Sequence, residues 1–490
     1  MIKITARNDR SGLKVCTALL ILLIFAQKNL AQPNWGMPRV ANTQIPIEEK
    51  TQRINNTPKA IVAPRPPMGW NSWNNFGLQI TEAEFKKQVD YVAEKLKPYG
   101  YEYVVIDASW YSPSVSADKK SAYHHGSYAK HDAELDSFGR FLPANNKFPG
   151  ARGSFKYLAD YVHAKGLKFG LHIQRGIPWQ AVEKDMPIMG STSRARDIAN
   201  PADVCLWFNA TYGIDMTRAG AQEYYDSIFH LYTSWGVDFV KVDDLSMPYH
   251  ADEITAVRKA IEKTGRAMVF SASPGSTPLS ARYHVMQNTD MFRVSSDFWD
   301  TWEQLQKQFD FAKQWAVHSV EFPGRWPDLD MLPLGKIGTR SGDAGGERLT
   351  RFTTDEQYSL MTLWCISRSP LMVSNDLIQN NAFTLQLLTN KDVLEVNQFG
   401  TAQKQIFSEN GLVVWLSKGK QVNSYYLALF NHKDQSQLAK FTLEQAGLNG
   451  RYGLRDLWKG TDRGQTSEEI SADIPAHGVV LYKLTQLSNK

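Results

Sequence analysis

In the stretch VDFVKVDDLS, Lys241 and Asp243 stand two residues apart at the end of an apolar run. Val237, Phe239, Val240 and Val242 read as a buried strand. Side chains on a strand alternate between its faces, so Lys241 and Asp243 share one. Burying an amine beside a carboxylate is costly unless the pair performs a task. The stretch MFRVSSDFW repeats the design with Arg293 and Asp297. Two carboxylates, each with a cation on its own face and each ending a strand, suggest chemistry at a glycosidic bond. Taken alone, either pair reads equally well as a structural salt bridge filling a barrel layer.

The elements that must hold these residues follow from periodicity. Apolar runs occur at MGWNSW (68–73), YVVIDASW (103–110), KFGLHI (168–173), DFVKVDD (238–244), AMVFSAS (267–273), MFRVSSD (291–297), GRWPDLDML (324–332) and SPLMVSND (369–376). Amphipathic stretches lie between them. Residues 81–97 begin with Thr81 and Glu84, a capping box, and carry Phe85, Val89, Val92 and Leu96 on one face, with Pro98 and Gly100 to stop the helix. The stretches 221–235 and 253–265 are similar. Strands alternating with helices predict an α/β fold, a parallel (β/α)8 TIM barrel, over residues 66–398. Asp107, His172, Asp243, Ser273, Asp297 and Asp376 all lie near the C-terminal ends of their runs, the face on which such barrels carry their sites. Asp244 and Asp376 read instead as caps of the helices that follow. Residues 399–490 change to short alternating runs between Gly, Asn and Lys-rich turns, which predicts a C-terminal antiparallel β-sandwich domain.

Composition narrows the function. The chain has 490 residues, 42% hydrophobic and 21% charged, with a net charge of +5 and no Lys/Arg-dense stripe, so a nucleic-acid partner is not expected. Lys3, Arg7, Arg10 and Lys14 precede the apolar run 15–26, too short for a comfortable membrane span. A signal peptide over 1–31 and an N-terminal extension over 32–65 are expected, hence export to the periplasm or beyond, with an uncleaved anchor as the alternative. Cys205 and Cys365 then remain, too few for a disulfide framework. No cysteine or histidine cluster at metal-ligand spacing and no phosphate loop appears, so no metal or cofactor is expected.

MGWNSW, VVIDASW, KFGLH, WGVDFVKVDD, FRVSSD, GRWPDLDML, SPLMVSNDL and VLEVNQ together carry a resemblance. Over residue 66 to the end, the chain resembles glycoside hydrolase family 27, the α-galactosidase and α-N-acetylgalactosaminidase family. The resemblance implies a catalytic (β/α)8 barrel, an antiparallel C-terminal domain and a retaining mechanism. It implies Asp243 as nucleophile, Asp297 as acid/base, Lys241, Arg293 and Asp107 as binders of sugar hydroxyls, and Trp70 as the wall against which the sugar packs. The substrate implied is a carbohydrate with terminal α-D-galactose.

Two places depart from the family pattern. The family commonly has adjacent aspartates at the second strand, where this chain has Asp107-Ala108-Ser109-Trp110. One of two carboxylates expected at the O4 and O6 edge of the sugar is missing. At the fifth strand the family's O2-side glutamate is replaced by Ser273 in Ser271-Ala272-Ser273-Pro274-Gly275. The catalytic pair is untouched, but a β-L-arabinopyranoside, an α-N-acetylgalactosaminide or an α-glucoside stay open as substrates. So does an inactive carbohydrate-binding protein on the same scaffold.

Overall fold

The structure, a computed structural model, describes residues 61–113, 131–205, 207–319 and 321–488. The expected signal peptide over 1–31, and the extension as far as residue 60, lie outside the described residues.

The chain forms β1 (Met68–Asn71), β2 (Tyr103–Ile106) and β3 (Lys168–Gln174), then three short strands, β4 (Ile177–Pro178), β5 (Ala199–Val204) and β6 (Thr211–Ile214). It continues through β7 (Phe239–Asp243), β8 (Val269–Ala272), β9 (Met291–Arg293), β10 (Trp326–Asp328), a hairpin of β11 (Lys336–Ile337) and β12 (Arg348–Leu349), and β13 (Leu371–Val373). One parallel sheet runs β13-β1-β2-β3-β7-β8-β9-β10. Its ends meet at a parallel bridge between Leu332 and Val373, where Leu332 N donates to Met372 O at 2.8 Å. The sheet therefore closes as a barrel, and each predicted apolar run supplies one of its strands. Strands buried on both faces read as near-continuous apolar runs, which is why they were visible without alternation.

The first barrel helix shows how local sequence sets an element. Thr81 Oγ1 accepts from Glu84 N and Glu84 Oε2 accepts from Thr81 N at 3.0 Å, closing the expected capping box. Phe85 and Val89 are buried against the barrel. The helix is α over Glu82–Tyr91 only. It widens to a π turn over Val92–Leu96 and a 3-10 turn over Lys97–Tyr99, ending at Gly100 with φ of 100°. Pro98 has no N–H to continue an α ladder, so the last turns take other spacings.

The strands β4, β5 and β6 form a separate antiparallel sheet in the order β4-β6-β5, an excursion inserted between β3 and the helix Ala221–Trp235. After the helix Lys391–Phe399 the chain enters an all-β region of β14 (Thr401–Glu409), β15 (Leu412–Lys418), β16 (Ser424–Asn431), β17 (Gln437–Thr442), β18 (Tyr452–Asp456), β19 (Thr461–Thr466), β20 (Glu469–Ile474) and β21 (Val479–Gln486). One sheet runs β14-β15-β16-β21-β18-β19, and β17 pairs with β20. Alternation divides the large sheet. Val413, Trp415, Tyr426, Ala428 and Phe430 join the barrel's core, whereas Val414, Leu416, Leu427 and Leu429 pack with Phe441, Ile470 and Ile474 of the small sheet.

Candidate active site

Parallel register brings the chemistry to one end of the barrel. His172 on β3 pairs with Lys241 on β7, which pairs with Ser271 on β8. Two residues further on, Gln174 pairs with Asp243, and Arg293 on β9 pairs with Asp328 on β10. Continuing the β7–β8 and β8–β9 registers by one residue puts Ser273 between Asp243 and Arg293 in this second row. A parallel strand exposes every second side chain to the barrel interior, so two successive rows assemble a site at the strand ends.

Asp243 is the last residue of β7 and its side chain is 6% exposed. Its Oδ2 lies 2.8 Å from His172 Nε2, close but poorly aligned for a hydrogen bond, and 3.5 Å from Lys241 Nζ. Burial works to protonate this carboxyl. Lys241 first, then His172 and the Ser273 hydroxyl, more than offset that and hold it well below the usual carboxylate range. Lys241 has a nearer partner in Asp107 Oδ2, at 3.0 Å. Asp107 follows β2; its N–H donates to Ser72 Oγ at 2.9 Å, and its Oδ2 also accepts from Asn71 Nδ2 at 2.7 Å. Burial is again opposed by Lys241 and His172, and the Asp107 carboxyl ends below its usual range. Lys241 is held above the usual lysine range, its two aspartates outweighing burial.

Arg293, 2% exposed, carries the second half of the site. Its Nη2 lies 2.9 Å from Asp330 Oδ2 and donates to Asp297 Oδ1 at 3.2 Å. The nearer partner is therefore Asp330, not the residue four positions on. Asp330 is fixed by accepting from Phe298 N at 2.8 Å and by donating its own N–H to Asp328 Oδ1 at 2.9 Å. Burial pushes the Asp330 carboxyl up to about 7 against the pull of Arg293. Asp328 and Asp330 thus hold Arg293 in place. Asp297 is 46% exposed, unlike buried Asp243. Arg293 feels the charges of both Asp297 and Asp243, which ties the two halves into one cluster.

Asp107, Lys241, Asp243, Ser273, Arg293 and Asp297 thus come together in one cluster. Ser273 is 1% exposed and its hydroxyl has no aligned hydrogen-bond partner among the described residues. Ala108 is buried and presents only a methyl group. Trp70 requires a correction. It is fully buried, between Phe76 and Phe85 with ring centroids at 6.2 and 6.3 Å, and its Nε1 donates to Asn375 O at 2.8 Å. Alternation on β1 turns Trp70 toward the helix layer and Asn71 toward Asp107, so Trp70 is no wall for a sugar here. The expectation of helix caps also needs changing. Asp376 accepts from Gln88 Nε2 at 2.8 Å, and the Asp244 carboxylate lies 3.0 Å from Arg175.

Asn71 and the partnership of Asp330 with Arg293 were not anticipated. Asn71 was signalled by its place one residue after Trp70 on a short strand. Asp330 lies beyond the end of β10, 37 positions along the chain from Arg293, and the parallel pairing of β9 with β10 makes them neighbours. Among the described residues no group of His, Cys, Asp and Glu side chains is arranged to hold a metal ion.

Comparison with known proteins fits this geometry. A family model described as alpha galactosidase A matches residues 206–399, and one described as the alpha galactosidase C-terminal beta sandwich domain matches residues 409–484. The chain is 26% identical to alpha-galactosidase A of Cellvibrio japonicus over 479 residues, 92% of this chain and 98% of that protein. It is 28% identical to the alpha-galactosidase of Cyamopsis tetragonoloba, over 86% of this chain and 87% of that protein. Among solved structures, a GH27 β-L-arabinopyranosidase from Geobacillus stearothermophilus is 44% identical with a TM-score of 0.83, covering 88% of this chain and 98% of its own. A putative α-N-acetylgalactosaminidase from Bacillus halodurans is 40% identical with a TM-score of 0.76, covering 86% and 97%.

Proposed function

The chain belongs to glycoside hydrolase family 27 and is a glycosidase, and from that premise we propose that it is a retaining exo-enzyme that removes terminal β-L-arabinopyranose. Asp243 is the nucleophile and Asp297 the acid/base. In the first step the Asp243 carboxylate bonds to the anomeric carbon while Asp297 gives its proton to the departing glycosidic oxygen. In the second step Asp297 takes a proton from water, which attacks the same carbon and frees Asp243. The observation that carries this reading is the contrast between the two carboxyls. Asp243 is buried and held ionised by Lys241 and His172, as an attacking group must be; Asp297 stands half-exposed, where a leaving group has room. Lys241, Asp107 and Arg293 are charged donors and acceptors fixed around them, suited to sugar hydroxyls. Ser273 supplies a further hydroxyl.

Ala108 decides the sugar. Its buried methyl stands where the family commonly has a second carboxylate, so a C6 hydroxymethyl would find no acceptor there. β-L-Arabinopyranose keeps the axial O4 of galactose and lacks that carbon. The arabinopyranosidase among the more similar solved structures supports the same choice. The second reading is the release of terminal α-D-galactose, supported by the curated alpha-galactosidases at lower identity. Export through residues 1–31 to the periplasm or beyond belongs to the same proposal.

Hydrolysis of the nitrophenyl β-L-arabinopyranoside, α-D-galactoside, α-N-acetylgalactosaminide and α-glucoside tests it. The arabinopyranoside should have the highest kcat/KM, with the galactoside second. A galactoside turned over faster than the arabinopyranoside would favour the second reading. Preference for either of the other two sugars would overturn both.

A further inference from the structure

Arg175 follows β3, is 2% exposed, and takes no part in the chemistry above. Its contacts converge on the end of the strand that carries Asp243. Its backbone N–H donates to Asp243 O at 3.0 Å and its Nε to Asp244 O at 2.8 Å. Its Nη2 lies 3.0 Å from the Asp244 carboxylate. A second set of partners turns the guanidinium to make these contacts. Asp203 on β5 takes both terminal nitrogens, at 2.6 Å from Nη2 and 2.9 Å from Nη1. Glu253, on the helix Ala251–Thr264, lies 3.5 Å from Nη1 and accepts from Ile214 N on β6 at 2.9 Å through its other oxygen.

Three carboxylates around one guanidinium are more acid than a buried ion pair requires. Burial pushes Asp244 up to about 7 and raises Glu253, both against the pull of Arg175. Asp244 also sits at φ of +66°, the left-handed region, immediately after the proposed nucleophile. Room for the arginine fork is reserved by Gly213 on β6. A β-carbon there would come within 2.3 Å of Asp203 Oδ2 and 2.8 Å of Arg175 Nη1.

We propose that Arg175 is a positioning residue for the nucleophilic step: with Asp203 on the excursion sheet it clamps the Asp243–Asp244 turn and so aims the Asp243 carboxylate. The inference rests on Asp243 being the nucleophile. Holding the carbonyls of two consecutive residues fixes the peptide planes on both sides of Asp244, and with them the backbone from which the Asp243 side chain projects. A reacting group displaced by about 1 Å loses about a hundredfold in rate.

The test uses a 2,4-dinitrophenyl glycoside of the preferred sugar, whose leaving group departs without acid assistance. Its single-turnover release then reports attack by Asp243 alone. Asp203→Asn removes a charge from the fork, Gly213→Ala pushes the fork apart with every charge retained, and Arg175→Lys keeps the cation without the fork. All three should slow release by about 10–100-fold while the Kd for the free sugar stays within about twofold. Wild-type release in Asp203→Asn and Gly213→Ala would overturn the clamp, as would a loss matched by weaker sugar binding. Should one of these two variants fail to fold, the other decides. Asp243→Asn serves as the control. If it turns over normally, the nucleophile assignment fails and the clamp with it. If it is inactive beside fully active Asp203→Asn and Gly213→Ala, the clamp alone is wrong.

Discussion

The proposed role of Asp243 depends on the groups packed round its carboxylate, and the sequence shows part of that company. Lys241 was legible, two residues back on the same face, although its shorter contact is to Asp107, 3.0 Å against 3.5 Å to Asp243. His172 was legible as a strand-end residue, but that it faces Asp243 depends on the β3–β7 register. Asp330 as the main partner of Arg293 was not legible, since no local spacing links the two. Trp70 was misjudged because MGWNSW carries tryptophan at both 70 and 73, and the motif does not say which faces inward. The sign of one pH effect follows from these contacts. Burial raises the Asp243 pKa, and Lys241 is the largest influence lowering it. In Lys241→Met burial should win, so Asp243 should protonate at higher pH. The acid limb of kcat/KM should move toward neutral pH relative to wild type, beside an overall loss of sugar binding. An acid limb that stays in place would show that Lys241 does not keep Asp243 ionised.

Strands and their order were readable because barrel strands are apolar on both faces; the β4–β6 excursion was not. β5 reads Ala-Asn-Pro-Ala-Asp-Val and has no fully buried residue, with neither apolar run nor alternation to mark it as a strand. Yet it supplies Asp203, so polar elements that escape the pattern can still bear on the site. The barrel itself depends on close strand approach. At Gly69 on β1 a β-carbon would meet Tyr103 O at 2.3 Å, inside the β1–β2 pairing that sets Asn71 beside Asp107. Backbone cannot yield as a flexible side chain can. Gly69→Ala should therefore cost about 1–3 kcal/mol in chemical denaturation, with a loss of sugar affinity. Unchanged stability would mean that β1 and β2 can separate without penalty.

Across the whole molecule the C-terminal sheet acts as part of the barrel's core. Phe430 packs edge-on to Phe309 at 4.8 Å, His477 stacks on Trp302 at 4.0 Å, and Ser359 Oγ donates to His477 O at 2.6 Å. A chain ending at Gly400 would leave the helices Trp302–Ala316 and Thr354–Ser367 bare, and large exposed apolar patches favour aggregation. Such a truncation should lose most of its soluble yield; a soluble, fully active barrel would show the second sheet to be an independent appendage. The composition change near residue 400 made that region visible, but not its seat, because alternation gives two apolar faces without saying what covers each. The central claim, that this molecule forms a covalent glycosyl-enzyme on Asp243, is tested most directly by mass spectrometry after incubation with a slow fluorinated glycoside of its preferred sugar. The intact protein should gain the mass of one glycosyl group, and peptic digestion should place it on the peptide that carries Asp243. Attachment to Asp297 or elsewhere, or an unmodified protein releasing product of inverted configuration, would contradict the account.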